Sequence, residues 1–129
     1  MNDIIKIAIC DDHMIERTII QIYIDEYFRG KPASAQVTEF CSGTEFMAAD
    51  ASPYDLAILD IYMDGPDGVE TAHEVAKVNP NIRFMFCSAS PEFIDNTVDL
   101  NVTRYFIKPL VKEKFFDAMD EFMRERASL

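Results

Sequence analysis

Leu56-Ala57-Ile58-Leu59-Asp60 sets four apolar residues directly against a carboxylate. An uninterrupted apolar run of this length is expected of a strand buried on both faces, as in a parallel sheet. An acid at its carboxyl end then stands where open α/β sheets hold their ligands. Asp64-Gly65-Pro66-Asp67-Gly68 follows as a turn-rich loop. Val69, Ala72, Val75 and Ala76 mark a helix ended by Asn79-Pro80.

The same alternation extends in both directions. Toward the N-terminus, Ile4-Ile5-Lys6-Ile7-Ala8-Ile9-Cys10 reads as a first strand, delivering Asp11-Asp12. Ile15, Ile19, Ile20, Tyr23, Ile24, Tyr27 and Phe28 recur at helical spacing, and Gly30 and Pro32 stop that helix. Gln36-Val37-Thr38-Glu39-Phe40 alternates as a strand with one more exposed face. A short helix from Ser42-Gly43 through Phe46 and Met47 ends near Pro53.

Toward the C-terminus, Arg83-Phe84-Met85-Phe86-Cys87 is a fourth strand reaching Ser88. Ser90-Pro91 suits the cap and first turn of a fourth, weakly amphipathic helix holding Phe93, Ile94 and Val98. Tyr105-Phe106-Ile107 is a short fifth strand ended by Lys108-Pro109. The last helix carries Phe115, Phe116, Met119, Phe122 and Met123, too many to face inward together, so an exposed remainder is expected. Five strand–helix units predict an α/β fold, a parallel sheet with helices on both faces and right-handed crossovers, in one domain over residues 1–129.

Composition narrows the function. The net charge of −11 repels a phosphate backbone, so direct nucleic-acid binding by this domain is not expected. No apolar run is long enough for a bilayer and no signal-peptide layout opens the chain, which predicts a cytoplasmic protein. Cys10, Cys41 and Cys87 form no C-x-x-C pair and read as buried free thiols. His13 and His73 read as surface helix residues.

The strand ends collect Asp11 and Asp12, Asp60, Ser88 and Lys108. Two carboxylates ~5 Å apart repel by roughly 3 kcal/mol at an effective dielectric of 20, so such a group implies a cation. All-oxygen donors favour a hard ion, which points to Mg²⁺, with Mn²⁺ as the other candidate. A carboxylate can itself act as nucleophile and form an acyl phosphate, with the metal and Lys108 neutralising the phosphoryl oxygens.

Asp11-Asp12, Leu59-Asp60-Ile61 with Met63 and Asp67-Gly68, Ser88-Ala89, and Tyr105 with Lys108-Pro109 together resemble the receiver domain of bacterial two-component response regulators, over essentially the whole chain. The resemblance implies the flavodoxin-like strand order 2-1-3-4-5. It implies that Asp60 accepts a phosphoryl group from a sensor histidine kinase. Asp11, Asp12, Asp60 and the Tyr62 carbonyl would hold Mg²⁺. Ser88 and Tyr105 would act as switch residues and Lys108 would pair with the phosphate, with a cis bond before Pro109. Tyr62 and Ser90 would gate hydrolysis, and bulky Tyr62 implies slow dephosphorylation. The fourth helix, fifth strand and last helix would form the output face, including a homodimer surface.

Ile9-Cys10-Asp11-Asp12, Phe40-Cys41-Ser42-Gly43 and Leu100-Asn101 further resemble receivers joined to LytTR-type DNA-binding domains, which implies transcriptional output. Asp64 stands where the family more often has proline, and Asn101-Val102 where Gly-Ala is common. A Mg²⁺-dependent phosphohydrolase is the competing reading. It commonly needs a second Asp two residues after the nucleophile, where this chain has Tyr62, and it needs a substrate-covering insertion. The expectation is therefore a phosphoacceptor and not a turnover enzyme. An interaction module without phosphorylation would be expected to lack an acid or Lys108.

Overall fold

The computed structural model describes residues 3–90 and 94–127, with backbone alone at 94 and 95. The strands are β1 (Ile4–Cys10), β2 (Ser34–Phe40), β3 (Leu56–Asp60), β4 (Arg83–Ser88) and β5 (Val102–Ile107). They form one parallel sheet in the order β2-β1-β3-β4-β5. The helices are α1 (Met14–Phe28), α2 (Gly43–Ala48), α3 (Gly68–Val78) and α4 (Lys112–Ala127).

Side-chain alternation along the strands divides the core in two. Ile5, Ile7 and Ile9 of β1, Leu56 and Ile58 of β3, and Met85 and Cys87 of β4 face α1 and α4. Ala8 and Cys10, Ala57 and Leu59, and Phe84 and Phe86 share the other face with residues of α2 and α3. A strand buried on both faces has no polar side to show, so the apolar runs of β1, β3 and β4 carry no period-2 contrast. On α1 the inward residues are Ile20, Ile24, Tyr27 and Phe28, while Ile15 is 71% exposed. Gly30 ends the helix with φ +77°, a conformation that favours glycine.

The entry to α3 is tightly specified. Asp67 accepts from the Glu70 amide at 2.8 Å and Glu70 accepts from the Asp67 amide at 3.2 Å, a reciprocal capping box. A Cβ on Gly68 would lie 2.2 Å from the Asp60 carbonyl oxygen, so only glycine lets α3 begin this close to the end of β3.

Four expectations need correction. The fourth helix is replaced, among the described residues, by a single 3₁₀ turn at Ile94–Thr97. The Ser90-Pro91 cap falls partly outside the described residues, as does Phe93. Val98, assigned to the helix's apolar side, is 89% exposed. Asp, Asn and Thr are weak helix formers, and this segment is held by tertiary bonds instead. Cys41 is exposed, its thiol 3.2 Å from Glu45, whereas Cys10 and Cys87 are buried. On α4, Phe115, Met119 and Phe122 are buried. Phe116 and Met123 are half-buried against the same core, so the aromatic remainder is largely covered. Strand β5 also begins earlier than its apolar residues suggested, at Val102. No described helix is long and apolar enough to cross a membrane.

Candidate functional site

The carboxyl ends of β1, β3 and β5 bring Asp11, Asp60 and Lys108 together. Lys108 Nζ lies 3.3 Å from Asp60 Oδ1 and 3.3 Å from Asp11 Oδ2. Asp11 and Asp60 are 1% and 5% exposed. Backbone bonds fix the rim. The Asp11 amide donates to the Phe40 carbonyl at 3.1 Å, the Ile61 amide to Cys87 at 3.1 Å, and the Lys108 amide to Ser88 at 2.8 Å. The Gly68 amide donates to the Ile61 carbonyl at 2.8 Å, tying α3 to the residue after Asp60.

Burial and the negative charge of Asp11 push the Asp60 carboxyl up to about 6, against the opposing charge of Lys108. Burial works against the Lys108 charge, but Asp11 and Asp60 outweigh it and hold the amine above the ordinary lysine value. At neutral pH the Asp60 carboxyl is therefore largely ionised, beside an ammonium group.

Asp12 and His13 complete the rim. His13 Nδ1 is 3.0 Å from Asp12 Oδ1 and 3.5 Å from Asp11 Oδ1. The His13 amide donates to Asp11 Oδ1 at 2.9 Å. Asp12 Oδ1 is shielded from solvent and accepts no hydrogen bond, the only such side-chain atom among the described residues. One ligand atom each from Asp11, Asp12, His13 and Asp60 can be chosen with all four within 4.8 Å of one another. A shielded carboxylate oxygen that accepts no hydrogen bond, in a group that one lysine cannot neutralise, fits a bound divalent cation. The acids stand where the strand ends were expected to bring them, and His13, read as a surface residue, is 69% exposed at the start of α1.

Arg17 was missed. Its Nη1 donates to the Asp11 carbonyl at 2.7 Å and its Nε to Glu39 at 3.2 Å, bracing the end of β1 against β2. Ser88 is buried, and its hydroxyl accepts from the Ser90 amide at 3.1 Å. Tyr105 stacks on Phe86 with ring centroids 5.9 Å apart, and its hydroxyl bonds to Thr97 of the 3₁₀ turn. A cavity of about 10 Å³ lies among Ile61, Phe86, Ser88, Ser90 and Tyr105. Tyr62 is 41% exposed. The Lys108–Pro109 peptide is cis.

The profile of the response regulator receiver domain matches residues 7–120. The chain is 28% identical over 123 residues to the response regulator protein VraR of Staphylococcus aureus, covering 93% of this chain and 57% of that protein. It is 34% identical over 74 residues to the transcriptional regulatory protein MalR of Bacillus subtilis, covering 56% of this chain and 32% of that protein. The chain thus spans well under two thirds of these curated relatives. A CheY-like receiver domain protein from Methanospirillum hungatei superposes with a TM-score of 0.82 at 19% identity, covering 98% of both chains. With the fold, the rim and a profile match over most of its length, the chain belongs to the response regulator receiver domain family of two-component signalling.

Proposed function

We propose that this domain is a phospho-accepting switch in which Asp60 takes a phosphoryl group from the phosphohistidine of a sensor kinase. The observation that carries the reading is the Asp60 carboxylate at the end of β3, 3.3 Å from Lys108 and grouped with Asp11 and Asp12. An Asp60 carboxylate oxygen attacks phosphorus, the P–N bond breaks, and its electron pair returns to the donor imidazole. Lys108 exchanges part of its pairing with the carboxylates for pairing with the phosphoryl oxygens. Asp11, Asp12, Asp60 and the Tyr62 carbonyl would hold Mg²⁺, or Mn²⁺, which supplies charge neutralisation on the transferring group.

Ser88 provides the response. Its hydroxyl, at the end of β4, accepts from the Ser90 amide and can exchange that contact for a phosphoryl oxygen. Tyr105 lies across the small cavity from Ser88, so the two side chains share a space that movement of either one alters. Phosphorylation thus supplies differential contacts that shift an existing equilibrium. Tyr62 and Ser90 flank the site and would set access of hydrolytic water, with Tyr62 slowing it. The domain works as a phosphoacceptor, since no acid stands two residues after Asp60.

The kinase's approach is supported by an apolar strip beside the rim. Met14, Ile15 and Ile22 of α1 and Val111 are exposed, and an open groove of about 280 Å³ runs along Ile19, Ile22, Tyr23 and Pro109. The readout surface is the 3₁₀ turn, β5 and α4, which a homodimer or an attached domain would use. The attached domain would be DNA-binding and of LytTR type, regulating transcription in the cytoplasm.

The test is intact mass after incubation with acetyl phosphate and Mg²⁺. One phosphoryl adduct is expected, absent in Asp60→Asn and in chelator. No adduct with any phosphodonor would sink the reading, and continuous phosphate release without adduct would favour a hydrolase.

A further inference from the structure

His13 lies outside the roles above, yet its ring is turned into the acidic rim. It is the N-cap residue of α1 but makes no side-chain capping bond. Its side chain is 69% exposed, and Nδ1 lies 3.0 Å from Asp12 Oδ1. The two atoms are in ion-pair contact, and Asp12 Oδ1 accepts no hydrogen bond. A nitrogen and a carboxylate oxygen 3.0 Å apart also have the spacing of two neighbouring ligands on one ion. With ligands at about 2.1 Å in an octahedron, adjacent donors are about 3.0 Å apart and opposite ones about 4.2 Å. The four candidate donors lie within 4.8 Å of one another, so shifts of a few tenths of an ångström per side chain would bring them onto one centre.

We propose that His13 Nδ1 is a nitrogen ligand to the cation bound at Asp11, Asp12 and Asp60, so that this site favours Mn²⁺ over Mg²⁺ more strongly than its carboxylates alone would. The inference rests on the cation site of the proposed function. The chemical basis is donor type. Mg²⁺ takes oxygen donors and retains its waters, whereas an imidazole nitrogen suits first-row transition ions. His13 also enlarges the protein share of the coordination shell without adding negative charge to a rim that already holds three acids. Its place at the first turn of α1 couples the metal to the helix carrying the exposed Met14, Ile15 and Ile22 strip.

The test compares the full chain with its His13→Ala and His13→Gln variants, each checked for folding by circular dichroism. Mn²⁺ affinity is read from the free-ion electron paramagnetic resonance signal, and Mg²⁺ affinity by calorimetry. The expected result is a loss of about tenfold in Mn²⁺ affinity in both variants, with a much smaller change for Mg²⁺. Pulsed resonance on the bound Mn²⁺ should show nitrogen modulation in the parent and none in the variants. Equal loss for both ions, or no nitrogen modulation in the parent, would overturn the proposal while leaving the oxygen site intact. Failure of either ion to bind the parent would overturn both this proposal and the metal role in phosphoryl transfer. Metal-independent phosphorylation of Asp60 would then show that the phosphoacceptor reading survives.

Discussion

The connection after β3 and the connection after β4 start from adjacent strand ends and are built in opposite ways. After Asp60 the chain turns through a loop into a capping box, and Gly68 brings α3 to within van der Waals limits of the Asp60 carbonyl. After Ser88 the described chain makes one 3₁₀ turn before β5. That turn is held mainly by side chains of other elements: Thr97 bonds to Tyr105, and His73 of α3 meets the Asn96 carbonyl at 2.9 Å. His73 Nδ1 also lies 3.7 Å from Asp99. In the proposed function the first connection would hold a nucleophile, which needs a fixed backbone, and the second would respond, which needs exchangeable anchors.

The largest effect should come from filling the tight approach. Gly68→Ala is expected to cost about 3 kcal/mol, because the new Cβ meets backbone that cannot swing aside. Urea unfolding would measure it, and the variant should also accept phosphate poorly. A cost near zero would show that the first connection is less rigid than its geometry implies.

Next is the charge of Asp60. Its folded pKa of about 6 lies above the ordinary value of 3.8, so the protonated form is favoured by folding. That contribution is full below about pH 4 and is lost as pH rises through about 6. Metal-free protein should therefore lose stability between pH 4 and 7 by about 2 kcal/mol after allowance for screening. Asp60→Asn should remove this dependence and raise the melting temperature of the metal-free protein at neutral pH. Equal pH profiles for parent and variant would refute the assignment.

A smaller loss, about 1 kcal/mol, is expected for Asp67→Ala at the capping box, read by the same unfolding experiment. The smallest effects on global stability belong to the second connection. Thr97→Val and His73→Ala should each cost at most about 1 kcal/mol, since valine keeps the volume of buried Thr97 and the half-buried Tyr105 and His73 partners lie near water. Hydrogen exchange around 96–100 should nevertheless accelerate in both, with α3 amides unchanged. If α3 exchange rises equally, the two connections form one cooperative unit and the contrast fails.

Much of this site is visible along the chain because it is assembled from strand ends. Asp11, Asp12, Asp60, Ser88 and Lys108 each follow an apolar run, and parallel strands deliver their carboxyl ends to one rim. The fourth helix fails over the described residues, where 94–97 form a 3₁₀ turn and Val98 is exposed, because Asp, Asn and Thr are weak helix formers. Phe116 and Met123 were misjudged because α4 lies in a groove wide enough to cover its flanks, with Phe116 set edge-on to Tyr27 at 5.4 Å.

What the chain order alone determined was the alternation of buried strands with helices, and with it the acids, hydroxyl and amine at the carboxyl ends. Both follow from local periodicity and from the apolar character of strands covered on two faces. Tertiary structure alone decided that Asp12 Oδ1 meets the His13 ring yet accepts no hydrogen bond, that Arg17 braces the Asp11 carbonyl, and that Thr97 engages Tyr105. Those facts depend on distances between side chains, which neighbourhood in sequence does not set. Hydrogen bonding and desolvation act through space, so they become readable only once the strands are side by side.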